Sequence, residues 1–220
     1  MITLHDVELR HGTQVVLSGL SGQFESGSRT ALIGANGSGK TTLLRAIAGL
    51  HPVSGGRIDR GNLKQADVAL LVQGSHLDRS FPITCHDVVA LAAAHVGSFR
   101  SIGNDRLRAT KDALDRVGLV EMASRPIQAL SAGQFQRVLF ARTIVQDAAL
   151  ILLDEPFTAV DAATTRLLLS VIAEWHGQGR TIIAVLHDIE LVRRHFPHTL
   201  LLSHQLGQWD ALPHSGLQAA

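Results

Sequence analysis

The chain of 220 residues has one cysteine, Cys85, no tyrosine and only two tryptophans. A single thiol cannot close an internal disulfide, and no C-x-x-C pair exists to hold zinc or run thiol redox chemistry. With no leader-like N-terminal segment either, a reducing, cytoplasmic setting is expected. Long hydrophobic runs are also missing. The longest, Val88 to Val96, is interrupted by His95 and is shorter than the roughly 18 apolar residues that a membrane-spanning helix requires. Neither sign of charge dominates: Lys and Arg number 20, Asp and Glu 19, for a formal net charge of +1. Bulk electrostatics therefore give no argument for a nucleic-acid partner or an anionic membrane surface. Twelve histidines are present but scattered. The nearest pair, His195 and His198, straddles Pro197, so a helical ligand pair is not expected there, nor the closed four-ligand site of structural zinc.

What is present is a globular composition, with 45% hydrophobic and 18% charged residues. The length allows one substantial core with a subdomain. Ile2 to Leu9 and Gln14 to Leu17 read as short strands joined by a turn at His11-Gly12. Arg29 to Ile33 reads as a buried strand, followed by a helix ending near Gly49, with Pro52 just beyond. Ser54-Gly55-Gly56 reads as a turn and Val68 to Val72 as another buried strand. From about Gly74 to Leu130 the character changes. Thr84 to Ala94 and Asp105 to Val117 read as helices separated by a loop at Gly97 to Gly103.

Beyond this segment the pattern becomes regular. A helix over Gly133 to Val145, a strand Leu150 to Leu153 and a helix Ala162 to His176 are expected. The strand Thr181 to Leu186, the helix Ile189 to His195 and the strand Thr199 to Leu202 follow. Apolar strands alternating with helices predict an α/β fold with a mainly parallel sheet covered on both faces. The tail from Gly207 lacks periodicity and is expected to be irregular.

Gly34-Ala35-Asn36-Gly37-Ser38-Gly39-Lys40-Thr41-Thr42 fits G-x-x-x-x-G-K-[ST], the phosphate-binding P-loop. It lies between a predicted strand and a predicted helix, the context that the motif requires. A helix start offers unpaired N–H groups and a positive dipole end, and glycines let the backbone wrap a phosphate closely. Lys40 would reach the β- and γ-phosphates and Thr41 would hold Mg²⁺ through its hydroxyl. A nucleoside triphosphate is the ligand that this motif predicts. The strand Leu150 to Leu153 runs into Asp154-Glu155, which puts two carboxylates at the edge of the sheet where ligands of open α/β folds bind. Asp154 suits a Mg²⁺ role, and Glu155 is the candidate to orient or deprotonate an attacking water.

Leu130-Ser131-Ala132-Gly133-Gln134, at a helix start about twenty residues before Asp154, resembles the LSGGQ signature of ABC-type ATPases. Other landmarks of that family follow the same order. Gln73 resembles the Q-loop glutamine, Val160-Asp161 the D-loop and His187 the H-loop histidine. The resemblance covers essentially the whole chain. It implies a P-loop NTPase core over 1–73 and 150–220, with an N-terminal antiparallel β portion and a helical subdomain over about 74–149. It further implies ATP hydrolysis with Mg²⁺ held by Thr41, Gln73 and Asp154. Two copies would close head to tail, so that Ser131, Gly133 and Gln134 of one, with Asp161 nearby, meet the P-loop of the other. Gln73 and His187 would assist Glu155 around the γ-phosphate.

Two positions depart from the family pattern. Ala132 replaces the first glycine of the signature, and its methyl group tolerates a helical turn but not positive φ. His11 stands where an aromatic residue usually stacks on adenine. Taken alone, Ser131 and Asp161 could be no more than helix caps.

An ATPase of this kind needs membrane permease subunits supplied separately. Phe81-Pro82-Ile83-Thr84, Val145-Gln146-Asp147-Ala148 and the stretch Asp154 to Thr164 resemble the importers of zinc and manganese. The resemblance implies zinc, or next manganese, as cargo. It also implies a periplasmic or extracellular metal-binding protein as an indirect partner, and a location on the cytoplasmic face of the cell membrane. The alternatives are a haem-export ATPase of cytochrome maturation, a soluble ABC protein of DNA repair or translation, and a histidine-bearing metal-binding or regulatory module.

Overall fold

The computed structural model describes residues 1–73, 78–93 and 104–210. The predicted loop at Gly97 to Gly103 lies outside them. Two sheets organise the chain. The smaller is antiparallel, in the order β2-β1-β4, with β1 at Ile2–His11, β2 at Gln14–Phe24 and β4 at Gly55–Asp59. The larger has the order β5-β6-β7-β3-β8-β9. Its strands are β3 (Arg29–Gly34), β5 (Val68–Leu71), β6 (Leu150–Asp154), β7 (Thr181–Val185), β8 (His198–Ser203) and β9 (Leu206–Trp209). From β5 to β8 every pairing is parallel, and β9 returns antiparallel to β8.

The parallel strands are apolar on consecutive residues because both of their faces are buried. Along β6, Leu150 and Leu152 enter one core cluster, while Ile151 and Leu153 enter the other. Ile183 and Val185 of β7 likewise face away from Ile182 and Ala184. The first cluster is closed by β1, β2 and the helix α1 (Lys40–Ile47). The second is closed by α2 (Cys85–Ala93), α3 (Asn104–Arg116), α4 (Ala132–Val145), α5 (Ala162–Gly177) and α6 (Ile189–His195). Each fully buried Leu, Ile or Val in these strands contributes about 1.5–3 kcal/mol. A charge on any of them would therefore be costly.

Three expectations are corrected. β2, expected to end at Leu17, continues to Phe24; Gly19 and Gly22 lie in a strand whose pairing with β1 is shifted by irregularities. Gly55 and Gly56, read as a turn, begin β4 and lie against β1. The segment after Gly207, read as irregular, starts inside β9. That strand is held by tertiary contacts: the Trp209 indole packs edge-on against Phe24 at 5.0 Å and donates to the Ser21 carbonyl at 2.9 Å. A strand of four residues containing glycine carries too little periodicity to read from sequence.

The order β5-β6-β7-β3 has one consequence for chemistry. It sets the segments leaving four adjacent strands along one edge of the sheet. These segments carry Gln73, Asp154-Glu155, His187 and the Gly34–Lys40 loop. Residues up to 153 positions apart in sequence thus converge without any local signal joining them.

Candidate nucleotide-binding site

The loop after β3 turns into α1 through Gly39, which has φ +96. A Cβ there would lie 2.8 Å from Val16 and 3.0 Å from Leu17, so glycine is required by both backbone and space. No side chain caps α1, so its first N–H groups remain available to an anion. Lys40 is 5% exposed, and its ammonium donates to the carbonyls of Gly34 and Ala35, both at 2.8 Å. Burial lowers its pKa from the ordinary lysine value, against the opposing charges of Glu155 and Asp154. The Ser38 hydroxyl is buried in the same loop without a protein partner. A buried donor without a partner is costly, and a phosphate oxygen would satisfy it.

Thr41 donates its hydroxyl proton to Asp154 Oδ1 at 3.0 Å, and Asp154 is 3% exposed. A hydroxyl and a carboxylate side by side form a hard-oxygen donor set of the kind that Mg²⁺ takes, so these residues fit that ion. Glu155 has φ +49, a left-handed conformation that costs a non-glycine residue about 1–3 kcal/mol. Three side chains surround its carboxylate. Gln73 Nε2 donates to Oε2 at 2.9 Å, the Thr158 hydroxyl to Oε2 at 3.1 Å, and His187 Nε2 lies 2.8 Å from Oε1. Burial raises the carboxyl pKa, but the His187 and Thr158 hydrogen bonds and the His187 and Lys40 charges outweigh it, leaving a value below the ordinary carboxylate range.

These groups line a cleft of about 710 Å³. Asn36, Gly37, Gly39, Lys40, Thr41, Thr42, Gln73, Glu155 and His187 all face it, and so does His11. Gly34 closes the loop through its carbonyl, and Asp154 reaches the cleft through Thr41. The cleft can therefore take a polyphosphate at the α1 N-terminus, with an acidic group beside it.

The remaining sequence-predicted residues lie elsewhere. Ser131 is the N-cap of α4: its hydroxyl accepts from Gln134 N at 3.2 Å, and Gln134 Oε1 accepts from Ser131 N at 3.0 Å, a closed capping box. Asp161 caps α5 by accepting from Thr164 N at 2.7 Å. Neither residue lines the cleft, and Gly133 does not either. Ala132 is the first residue of α4, where its methyl group meets no backbone restriction. Sequence reasoning missed Thr158 and Gln136. The buried Gln136 side chain donates to the Pro156 carbonyl at 2.9 Å and so ties α4 to the turn after Glu155. No motif marks either residue.

The chain matches the ABC transporter family over residues 17–158. It is 36% identical over 213 residues to the zinc transport system ATP-binding protein TroB of Treponema pallidum, covering 92% of this chain and 78% of that one. It is 34% identical over 206 residues to the manganese transport system ATP-binding protein MntB of Bacillus subtilis, covering 91% and 82%. In three dimensions it resembles a dimeric ATP-binding cassette in a post-hydrolysis state bound to ADP and Pi, with a TM-score of 0.87 and 23% identity over 97% of this chain and 99% of that one. At that identity the likeness shows the fold.

Proposed function

Because the chain belongs to the ABC transporter family, and is therefore a transport ATPase, we propose that it powers import of a divalent transition metal ion, zinc first and manganese next. The observation that carries this reading is the identity, over nine-tenths of the chain, to ATP-binding proteins named for zinc and manganese transport. These relatives do not favour the haem-export alternative. The path for the ion would belong to separate permease subunits, as the transport-system names of the relatives suggest; no described helix is long and apolar enough to cross a membrane. A periplasmic or extracellular metal-binding protein would deliver the ion to them. The chain would work on the cytoplasmic face of the membrane.

Within the cleft, the α1 N-terminus and Lys40 would bind the β- and γ-phosphates. Thr41, Asp154 and Gln73 would hold Mg²⁺. The bound ion would offset phosphate charge. Glu155, ionised and held by Gln73, Thr158 and His187, would orient or deprotonate the water once ATP draws those partners toward the γ-phosphate. His187 would contact that phosphate, and His11 would stack on the base. Ser131, Gly133, Gln134 and Asp161 would act on the ATP of a second copy in a head-to-tail dimer. We assign 1–73 and 150–220 to the nucleotide-binding core and about 74–149 to the helical subdomain.

Cells lacking this chain test the cargo. Growth in metal-depleted medium should be restored by added zinc, or by manganese if that is the cargo. Restoration only by intermediates of the haem pathway would overturn the metal reading.

A further inference from the structure

At the rim of the cleft, outside both the P-loop and the catalytic carboxylates, one cleft-lining residue, His11, is backed by a residue that does not line the cleft. Together they form a pair of histidine rings. His11, the last residue of β1, and His51, four residues past the end of α1, meet edge to face with ring centroids 5.1 Å apart and planes at 69°. Each ring is also held by a polar contact. His11 Nε2 lies 3.1 Å from the Thr42 hydroxyl, and His51 Nε2 lies 3.0 Å from the Arg10 carbonyl. A carbonyl only accepts, so His51 Nε2 carries a proton and donates. His51 is thus bonded to the backbone of the strand that presents His11.

We propose that His51 is a positioning residue that locks the His11 imidazole as a stacking platform for the purine base of the bound nucleotide. This rests on the reading of the cleft as a nucleoside triphosphate site. An exposed histidine at a strand end, next to Gly12 at φ +58, would otherwise lose its side-chain freedom when a base stacks on it. The ordering cost would then oppose binding. His51 meets that cost within the folded protein. An imidazole offers less face than a phenol or indole ring, so holding it in one orientation is the way to recover affinity. A preset face of this kind reads ring area and not base edges. It therefore favours purines over pyrimidines and separates adenine from guanine only weakly.

The test compares ATP with inorganic tripolyphosphate, which has no base, by calorimetric titration in one Mg²⁺ buffer. His51→Ala should raise the ATP Kd about fivefold and leave tripolyphosphate affinity unchanged. His51→Phe keeps an aromatic ring against His11 and should restore most of the ATP affinity. Unchanged ATP affinity in His51→Ala would overturn the proposal. So would a proportional loss of ATP and tripolyphosphate, which is the pattern of a merely structural role. Wild-type protein binding both probes equally would overturn the platform while leaving the phosphate site intact. If Lys40→Ala binds ATP as the wild type does, the cleft itself is misassigned and the proposal falls with it.

Discussion

The Gly34–Thr42 loop and the Ser131–Gln134 helix start are both glycine-containing N-termini of helices, yet they are built in opposite ways. In the first, α1 has no side-chain cap, Gly39 is forced by the packing of Val16 and Leu17, and Lys40 is almost fully buried. Its donors converge on a cleft shared with Glu155 and His187. In the second, Ser131 is exposed and the capping box satisfies the local donors. A Cβ on Gly133 would make ordinary van der Waals contact, nearest to Val160 and Ala159 at 3.8–3.9 Å. One terminus is complete within the chain as a site for an anion. The other is complete only as a helix, and any further use of it must come from outside this chain.

The largest expected effect falls on the first terminus. Lys40→Ala should lower ATP turnover at least about a hundredfold, because it removes a preset cation from the site of developing charge. Far-UV circular dichroism should stay near that of the wild type. Turnover within a few fold of the wild type would break the comparison at its root. Gly133→Ala tests the second terminus and separates its two readings. Nothing in the monomer opposes the added methyl group, and alanine in a first turn gains up to about 1 kcal/mol over glycine. If α4 serves only its own fold, the variant is more stable and fully active. If its N-terminus closes on a partner's nucleotide, the variant is equally or more stable but loses about tenfold in activity. Thermal unfolding and steady-state turnover on one preparation decide between these outcomes.

How far the sequence revealed this contrast depends on what is local. The P-loop, the Leu150–Glu155 strand end and the caps at Ser131 and Asp161 are legible because each is a short motif beside an apolar run. Taken alone, Ser131 reads equally as a cap or as part of a signature, since a capping box and a signature share the same residues; only the order of the other motifs favours the signature. Half of β2, the start of β4 and β9 were lost because these glycine-containing segments are fixed as strands by pairing and by Trp209 and carry little periodicity of their own. Thr158, Gln136 and His51 were missed because each acts through a contact across the fold and none belongs to a pattern. The strand order brought Gln73, Glu155 and His187 together, and only a resemblance in motif order, not periodicity, hinted at it.

The smallest effect concerns pH and sharpens the claim that the first terminus is preassembled. Hydrogen bonds and charges at Glu155 hold its pKa below the unfolded value, which is about 4.3. A depressed carboxylate stabilises the fold above its unfolded pKa, and that stabilisation disappears as pH falls through the lower folded value. The stability difference between the wild type and Glu155→Gln should therefore be flat from about pH 5.5 to 8 and change only below about pH 4.3. Its size should be on the order of 1 kcal/mol, that of hydrogen bonds at a partly exposed site. Urea unfolding of both proteins across this range gives the curve. A difference that changes between pH 6 and 7 would break the claim, because a carboxylate held below its unfolded pKa has no midpoint there.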